Sequence, residues 1–141
     1  MAGIVRSIRV PEELDGQLQR EFRRRGITEW SSGVLTLLEE AVRISRAPGI
    51  VFVDSLTGRR AAIAGTGIEV WEVVASWKSL GQDYERLRAS YAWLSEAQLR
   101  AALNYYELYP EEIEERLALE EEWTPERVRR EFPFTAGPAT G

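Results

Sequence analysis

Apolar and polar residues alternate from Ile4 to Val10, a pattern that predicts a β-strand. The apolar face consists of Ile4, Ile8 and Val10. The opposite face consists of Val5, Ser7 and Arg9, and Arg6 interrupts the apolar phase. Because helix and turn signals fill the chain from 11 to 46, we expect the strand to pair with its own copy, as a two-stranded antiparallel ribbon across a dimer. The alternative is that residues 4–10 pair with a later strand of the same chain.

Two helices with apolar stripes are predicted after this strand. Pro11 opens the first helix and Gly26 closes it. Its stripe repeats at four-residue spacing, at Leu14, Leu18 and Phe22. The second helix begins near Ser31 and has a wider apolar stripe, formed by Val34, Leu35, Leu37, Leu38, Ala41 and Val42. A stripe of this width fits a helix that packs in a core.

The order of these elements resembles the ribbon-helix-helix repressors of the CopG/Arc/MetJ type. The resemblance rests on the strand, on Pro11-Glu12-Glu13-Leu14, on the arginine-rich end of the first helix and on Gly26-Ile27-Thr28. It covers residues 1–46 and implies a DNA-binding and dimerisation domain. The resemblance further implies a homodimer or higher homo-oligomer whose ribbon lies in the major groove of operator DNA.

The ribbon face provides the first candidates for DNA contact. Ser7 and Arg9 both have side chains that reach acceptors at the groove edge. Val5 is placed to touch a thymine methyl group, and the phase of Arg6 directs it towards a phosphate. An ordinary edge strand with solvated arginines is the alternative interpretation.

The start of the second helix provides the remaining candidates. In ribbon-helix-helix repressors this terminus clamps the DNA backbone, and the resemblance assigns that role to Thr28, Ser31 or Ser32. Simple capping accounts for the same residues. For the cluster Arg23–Arg25 we prefer a structural role over DNA contact, because cations interact favourably with a helix C-terminus.

Residues 47–132 predict a hairpin followed by a small helical bundle. Pro48-Gly49 ends the second helix, and two apolar runs flank a short link that contains Gly58, which is a hairpin signal. Helices are predicted at about 69–80, after Asp83, at 95–109 behind a Ser95–Gln98 capping box, at 111–122, and from Thr124 to Phe132. Residues 133–141 have too little apolar content to order and are expected to form a flexible tail. The expected fold class is therefore mainly α.

Several motifs between Pro48 and Glu115 resemble the domain-of-unknown-function family 433. They are Pro48–Phe52, Gly58–Ala61, Ala64–Ile68 with Val70–Val74, and Leu94–Leu99. The resemblance implies a hairpin followed by a helix-turn-helix-like bundle, as found in VapB-type antitoxins beside PIN-like ribonuclease toxins. Some related antitoxins also carry an N-terminal ribbon-helix-helix half.

The last predicted helix is the candidate for toxin binding, since VapB-like antitoxins use a C-terminal segment that wraps the toxin. We expect Trp123 and Phe132 to anchor this segment. Arg127, Arg129 or Arg130 would then face the acidic metal site of a PIN-like nuclease. The alternative is that the short helix packs back on its own bundle.

The composition argues against an enzyme, a metal site and a cofactor. The chain has no cysteine and no histidine, which removes thiolate chemistry, the commonest general base and the commonest metal ligand. Glutamates between Glu111 and Glu122 are expected to be solvated rather than to bind a divalent ion. Gly65-Thr66-Gly67 lacks the third glycine of a dinucleotide loop and predicts a turn. A Ser–Lys nucleophile built on Lys78 has almost no support.

Charge and hydropathy add expectations about partners and location. The net charge of −5 is uneven: residues 1–27 hold six arginines against four acids, and residues 110–141 hold four arginines against nine acids. This asymmetry fits two different partners. No apolar run reaches membrane-spanning length and no signal-peptide pattern is seen, so we expect a cytoplasmic protein without membrane contact.

These features predict a non-enzymatic antitoxin of a toxin–antitoxin pair. Its N-terminal ribbon would bind operator DNA and regulate transcription, and its C-terminal part would neutralise a PIN-like ribonuclease toxin. The alternatives are a stand-alone ribbon-helix-helix transcription regulator, and a protein-interaction or oligomerisation module without a toxin.

Overall fold

The computed structural model describes residues 3–55, 58–122 and 125–131. The chain forms two compact units, Met1–Ser45 (unit 1) and Arg46–Gly141 (unit 2). The described residues are mainly helical and include one two-stranded antiparallel sheet, which confirms the predicted fold class at that level. None of the described helices has both the length and the hydropathy needed to cross a membrane.

Unit 1 is built on helix α1 (Glu12–Arg25) and helix α2 (Trp30–Arg46). Pro11 precedes α1, where its fixed φ suits a helix start and its missing N–H costs nothing. Gly26 ends α1 with φ +73°, a left-handed conformation that glycine adopts without strain. The amide of Ile27 then closes the turn on the Phe22 carbonyl at 2.8 Å. Both ends of α1 lie where the sequence predicts them.

The two helices of unit 1 meet closely at Phe22 and Gly33. Phe22 is 5% exposed, and Gly33 is buried beside it. A Cβ on Gly33 would lie 2.6 Å from Cε1 and Cζ of the Phe22 ring, so the glycine leaves the space that the ring fills. Next to this contact, Arg25 Nη1 donates to Glu40 Oε2 at 3.3 Å, with both side chains largely buried. Packing and an ion pair therefore fix α1 against α2.

Residues 3–11 adopt no helix or strand in the described chain. The sheet consists of β1 (Ile50–Ser55) and β2 (Gly58–Ile63), and residues 3–11 belong to neither strand. The alternative of a strand paired within the same chain is therefore not realised. The ribbon across a dimer stays a prediction.

The hairpin opens unit 2. β1 and β2 are antiparallel, with Ile50 opposite Ile63 at the base and Ser55 opposite Gly58 at the tip. The base is buried: Ile50 and Ile63 are both almost completely shielded from solvent. Leu56 and Thr57, which link the strands, lie outside the described residues.

Five helices follow among the described residues of unit 2. They are α3 (Val70–Ser79), α4 (Tyr84–Ser90), α5 (Glu96–Leu108), α6 (Pro110–Glu122) and α7 (Pro125–Glu131). The predicted caps are present: Asp83 accepts from the Arg86 amide at 3.2 Å, and Ser95 and Gln98 form the reciprocal capping box. The Glu69 amide also donates to the Glu72 carboxylate at 2.8 Å, which stabilises the start of α3.

The core of unit 2 lies between the hairpin, α3 and α5. Its members are apolar and nearly free of solvent contact, and the largest are Tyr105, Ile50, Ile63, Leu87, Leu99, Val70, Val73 and Val74. Tyr105 is central: its ring meets Phe52 edge to face at 6.3 Å, and its hydroxyl donates to Glu112 on α6. Tyr105 is therefore part of the core, whereas Trp93 remains 68% exposed.

Candidate functional site

The candidate residues of the opening segment are all accessible. Val5 is 91% exposed, and Arg6, Ser7 and Arg9 are exposed as well. Since residues 3–11 adopt no regular structure, the described chain does not bring these four side chains onto one strand face. Their contact with DNA stays a prediction.

The apolar residues of the same segment lie against the helices of unit 1. Ile8 and Val10 line a groove of about 190 Å³ together with apolar residues of α1 and α2. The helix residues that line it are Leu14, Leu18, Trp30, Val34, Leu37 and Leu38. Two of the three apolar-phase residues therefore lie beside the two predicted stripes, whereas Ile4 does not line the groove and is 78% exposed.

Trp30 in this groove was missed by the sequence analysis. It is the first residue of α2 and precedes Val34 by four residues and Leu37 by seven. That spacing places all three residues on one helix face and was the available signal.

A large apolar face of α2 remains uncovered. Leu35 is 61% exposed and Val42 is 56% exposed, although both belong to the predicted core stripe. Leu38 and Ile44 are also exposed, as are Ile4 and Ile8 of the opening segment. An apolar surface of this extent on a small unit is typical of a protein–protein interface.

The start of α2 is open to solvent. Thr28, Ser31 and Ser32 are all exposed, so their hydroxyls are accessible to a phosphate. The Gly33 amide already bonds to the Glu29 carbonyl at 3.1 Å as the first turn closes. The exposed carboxylate of Glu29 lies in the same turn and would oppose an anion there.

The arginine cluster at the end of α1 makes internal ion pairs. Arg24 and Arg25 both hydrogen-bond to Glu21, and Arg25 also pairs with Glu40. Those two guanidinium groups lower the pKa of Glu21 from 4.5 to about 2. This network supports the structural role that we preferred for Arg24 and Arg25.

The candidate toxin-binding residues are only partly described. Trp123 and Phe132 lie outside the described residues. Arg127 Nε donates to Glu131 at 3.0 Å, and its Nη1 donates to the Glu122 carbonyl at 3.2 Å. Arg129 and Arg130 are exposed on the last turn of α7.

A cleft of about 560 Å³ lies between α3 and α6. Trp71 and Ala75 of α3 and Leu117 and Ala118 of α6 line it with apolar surface. The Arg116 guanidinium lies over the Trp71 ring, 5.4 Å from its centroid.

Lys78 is held at the edge of this cleft by hydrogen bonding. Its ammonium pairs with Glu114, which also accepts from the Tyr106 hydroxyl. The Glu114 contact raises the pKa of Lys78, and the Lys78 contact lowers the pKa of Glu114. An amine nucleophile requires the opposite shift, so this geometry does not activate Lys78. Within the described ranges, no cluster of three or more acidic side chains is arranged to hold a metal ion.

One region of the chain matches a known protein family. Residues 50–106 match the DUF433 family. This DUF433 region runs from the start of β1 almost to the end of α5, and it confirms the predicted resemblance for that stretch. The family is described as proteins of unknown function, so the match assigns no activity.

One solved structure is similar to the chain. It is a DUF433 member protein from Anabaena variabilis ATCC 29413, with 28% sequence identity and a TM-score of 0.43. The similarity covers 77% of this chain and 86% of that chain. No curated protein matches the chain.

Proposed function

We propose that the protein is the DNA-binding antitoxin of a toxin–antitoxin pair. Two copies associate through unit 1, the paired opening segments bind operator DNA, and the C-terminal part binds a PIN-like ribonuclease toxin. The observation that carries the proposal is the uncovered apolar surface of unit 1, which combines the opening segment with one face of α2.

A second copy of the chain fits this surface for two reasons. First, residues 4–10 belong to no strand of the described chain, so their backbone donors and acceptors are available to an identical antiparallel segment. Second, burying an apolar side chain completely is worth about 1.5–3 kcal/mol, and more than half of Leu35, Leu38 and Val42 remains exposed. Burial of these residues in both copies offsets much of the association cost, which is roughly 4–15 kcal/mol.

Pairing the opening segments would align the candidate DNA contacts. Val5, Ser7 and Arg9 alternate along one face, so two antiparallel copies present six side chains to the major groove. The N-terminus of α2 would then bind a DNA phosphate, because the free amides of a helix N-terminus and nearby hydroxyl groups attract anions. Specificity would come from the ribbon, and Thr28, Ser31 and Ser32 would position the protein on the backbone.

DNA binding is tested with duplex DNA from the region upstream of the gene, measured by fluorescence anisotropy over a range of salt concentrations. We expect affinity to fall steeply with salt, and Arg9→Ala to weaken binding by about 1–3 kcal/mol. Arg20→Ala is the matched control, since Arg20 is exposed on α1 but lies outside the candidate face. Equal effects of the two substitutions would contradict base contact by Arg9.

Toxin binding is tested by co-expressing the chain with the product of its neighbouring gene and measuring the mass of the purified complex. We expect a complex that is lost when the chain is truncated after Glu122, because the truncation removes α7 and leaves α3 to α6 in place. A complex that survives the truncation would refute the role of the C-terminal segment.

A stand-alone regulator or interaction module is the second candidate. The exposed ring of Trp93 favours it, because this ring lies 5.2 Å from the Tyr91 ring, centroid to centroid, and belongs to the DUF433 region rather than to α7. Exposed tryptophans commonly anchor protein interfaces. Operator binding without any complex with the neighbouring gene product would favour this candidate.

A further inference from the structure

We propose that the cleft between α3 and α6 docks a partner protein, which inserts a segment combining arginine or lysine with an apolar side chain. This inference does not depend on the antitoxin function, because it requires neither the ribbon nor α7. It is carried by the apolar floor of the cleft and by the charge of its walls.

The floor of the cleft suits an apolar side chain. Trp71 and Ala75 face Leu117 and Ala118, and the lining is predominantly apolar. The cleft volume of about 560 Å³ falls in the range of sites that hold ligands of several side chains' size. An aliphatic or aromatic group gains from burial on such a floor, whereas a cation over the Trp71 ring would have to compete with the Arg116 guanidinium that already lies there.

The walls of the cleft carry an excess of acidic side chains. Three glutamates line it, Glu114, Glu120 and Glu121, and the neighbouring cations are Lys78 and Arg116. The two cations are already engaged, Lys78 with Glu114 and Arg116 with Glu120. Glu121 lines the cleft, is exposed and makes no ion pair among the described residues. The unbalanced charge is therefore negative.

This charge selects the class of occupant. A negative wall attracts a basic segment and accelerates its encounter. The same wall repels nucleic acid, whose phosphates need cations to replace their counterions. A protein segment with basic and apolar side chains satisfies both the floor and the wall.

The test uses the full chain and a panel of short synthetic peptides in which arginines flank a leucine or phenylalanine. Nuclear magnetic resonance locates binding through the Trp71 indole and the amides of Ala75 and Ala118, and anisotropy measures affinity. Glu121→Lys should weaken binding roughly fivefold. Ala118→Arg should abolish it by filling the cleft with a cation. Both residues are exposed, so we expect both variants to fold, which circular dichroism checks.

Glu115→Lys is the matched control, because Glu115 is exposed on α6 but does not line the cleft. We expect less than a twofold effect from it. The proposal is overturned if no peptide shifts the cleft signals, or if Glu115→Lys and Glu121→Lys weaken binding equally. Binding of glutamate-containing peptides or a DNA duplex in the cleft would also overturn it. So would a smaller assembly mass in Ala118→Arg, which would identify a second copy of the chain as the occupant.

Discussion

Replacing Gly33 with alanine tests how closely α1 and α2 approach each other. The added Cβ would lie 2.6 Å from two carbons of the Phe22 ring and 2.8 Å from a third. Carbon atoms in favourable contact stay about 3.5–4.0 Å apart, so the ring or the helix has to move by roughly 1 Å. Phe22 is 5% exposed, and its ring occupies the space into which the new Cβ would project.

Two opposing effects set the size of the change. Alanine is favoured over glycine in a helix interior by about 1 kcal/mol. Overpacking a filled core costs typically about 1–3 kcal/mol. We therefore expect Gly33→Ala to lower the free energy of unfolding of unit 1 by about 1 kcal/mol, or the Tm by roughly 4–8 °C.

Gly16→Ala is the control for this prediction. A Cβ on Gly16 of α1 would meet only the Arg20 guanidinium at 3.8 Å, an ordinary contact, so this variant should gain about 0.5–1 kcal/mol. Urea unfolding of the full chain is followed by circular dichroism at several protein concentrations, because the stability of a dimer depends on concentration. A Gly33→Ala variant that gains stability as Gly16→Ala does would refute the close packing.

Three further predictions concern single side chains. The lowered pKa of Glu21, about 2, means that its carboxylate contributes stability above pH 4.5 that is lost as the pH falls towards 2. The urea midpoint of Glu21→Gln should therefore lie below that of the wild type at pH 7, and a gap that persisted near pH 2 would contradict this assignment. Leu99→Ala should lower the free energy of unfolding by about 2–5 kcal/mol, because Leu99 is completely buried; a loss under 1 kcal/mol in urea melts would place it outside the core. Ser95→Ala should cost about 1 kcal/mol by the same assay through the lost cap, and an unchanged midpoint would show that the cap is dispensable.

The sequence predicts helix ends well where the signal is local. Pro11 and Gly26 bound α1, and Ser95 with Gln98 starts α5, because each of these residues acts on backbone within one helical turn. The match of residues 50–106 to DUF433 likewise agrees with motifs visible in the sequence.

Contacts between distant residues were not predictable in the same way. The fit of Phe22 against Gly33 and the pair between Arg25 and Glu40 depend on how two helices cross, which periodicity does not specify. The α3–α6 cleft joins Trp71 to residues about a third of the chain away. A one-dimensional pattern carries no signal for such a site.

The opening segment, residues 3–11, is where the sequence prediction and the structure of one chain differ. Alternation from Ile4 to Val10 predicts a strand, yet a strand requires a neighbouring strand, and residues 4–10 pair with none in the described chain. The alternation of apolar and polar residues shows that residues 4–10 can form a strand, and a second strand is needed for them to do so.

Lys78 gives the protein a single side-chain amine. It is the only lysine in the 141 residues, so an amine-directed reagent meets one side chain besides the α-amino group. Because the contact with Glu114 raises the pKa of Lys78, acylation of this side chain should require a higher pH than acylation of an unpaired lysine. A dye coupled to Lys78 at higher pH would therefore label one side chain in unit 2 without any engineered cysteine.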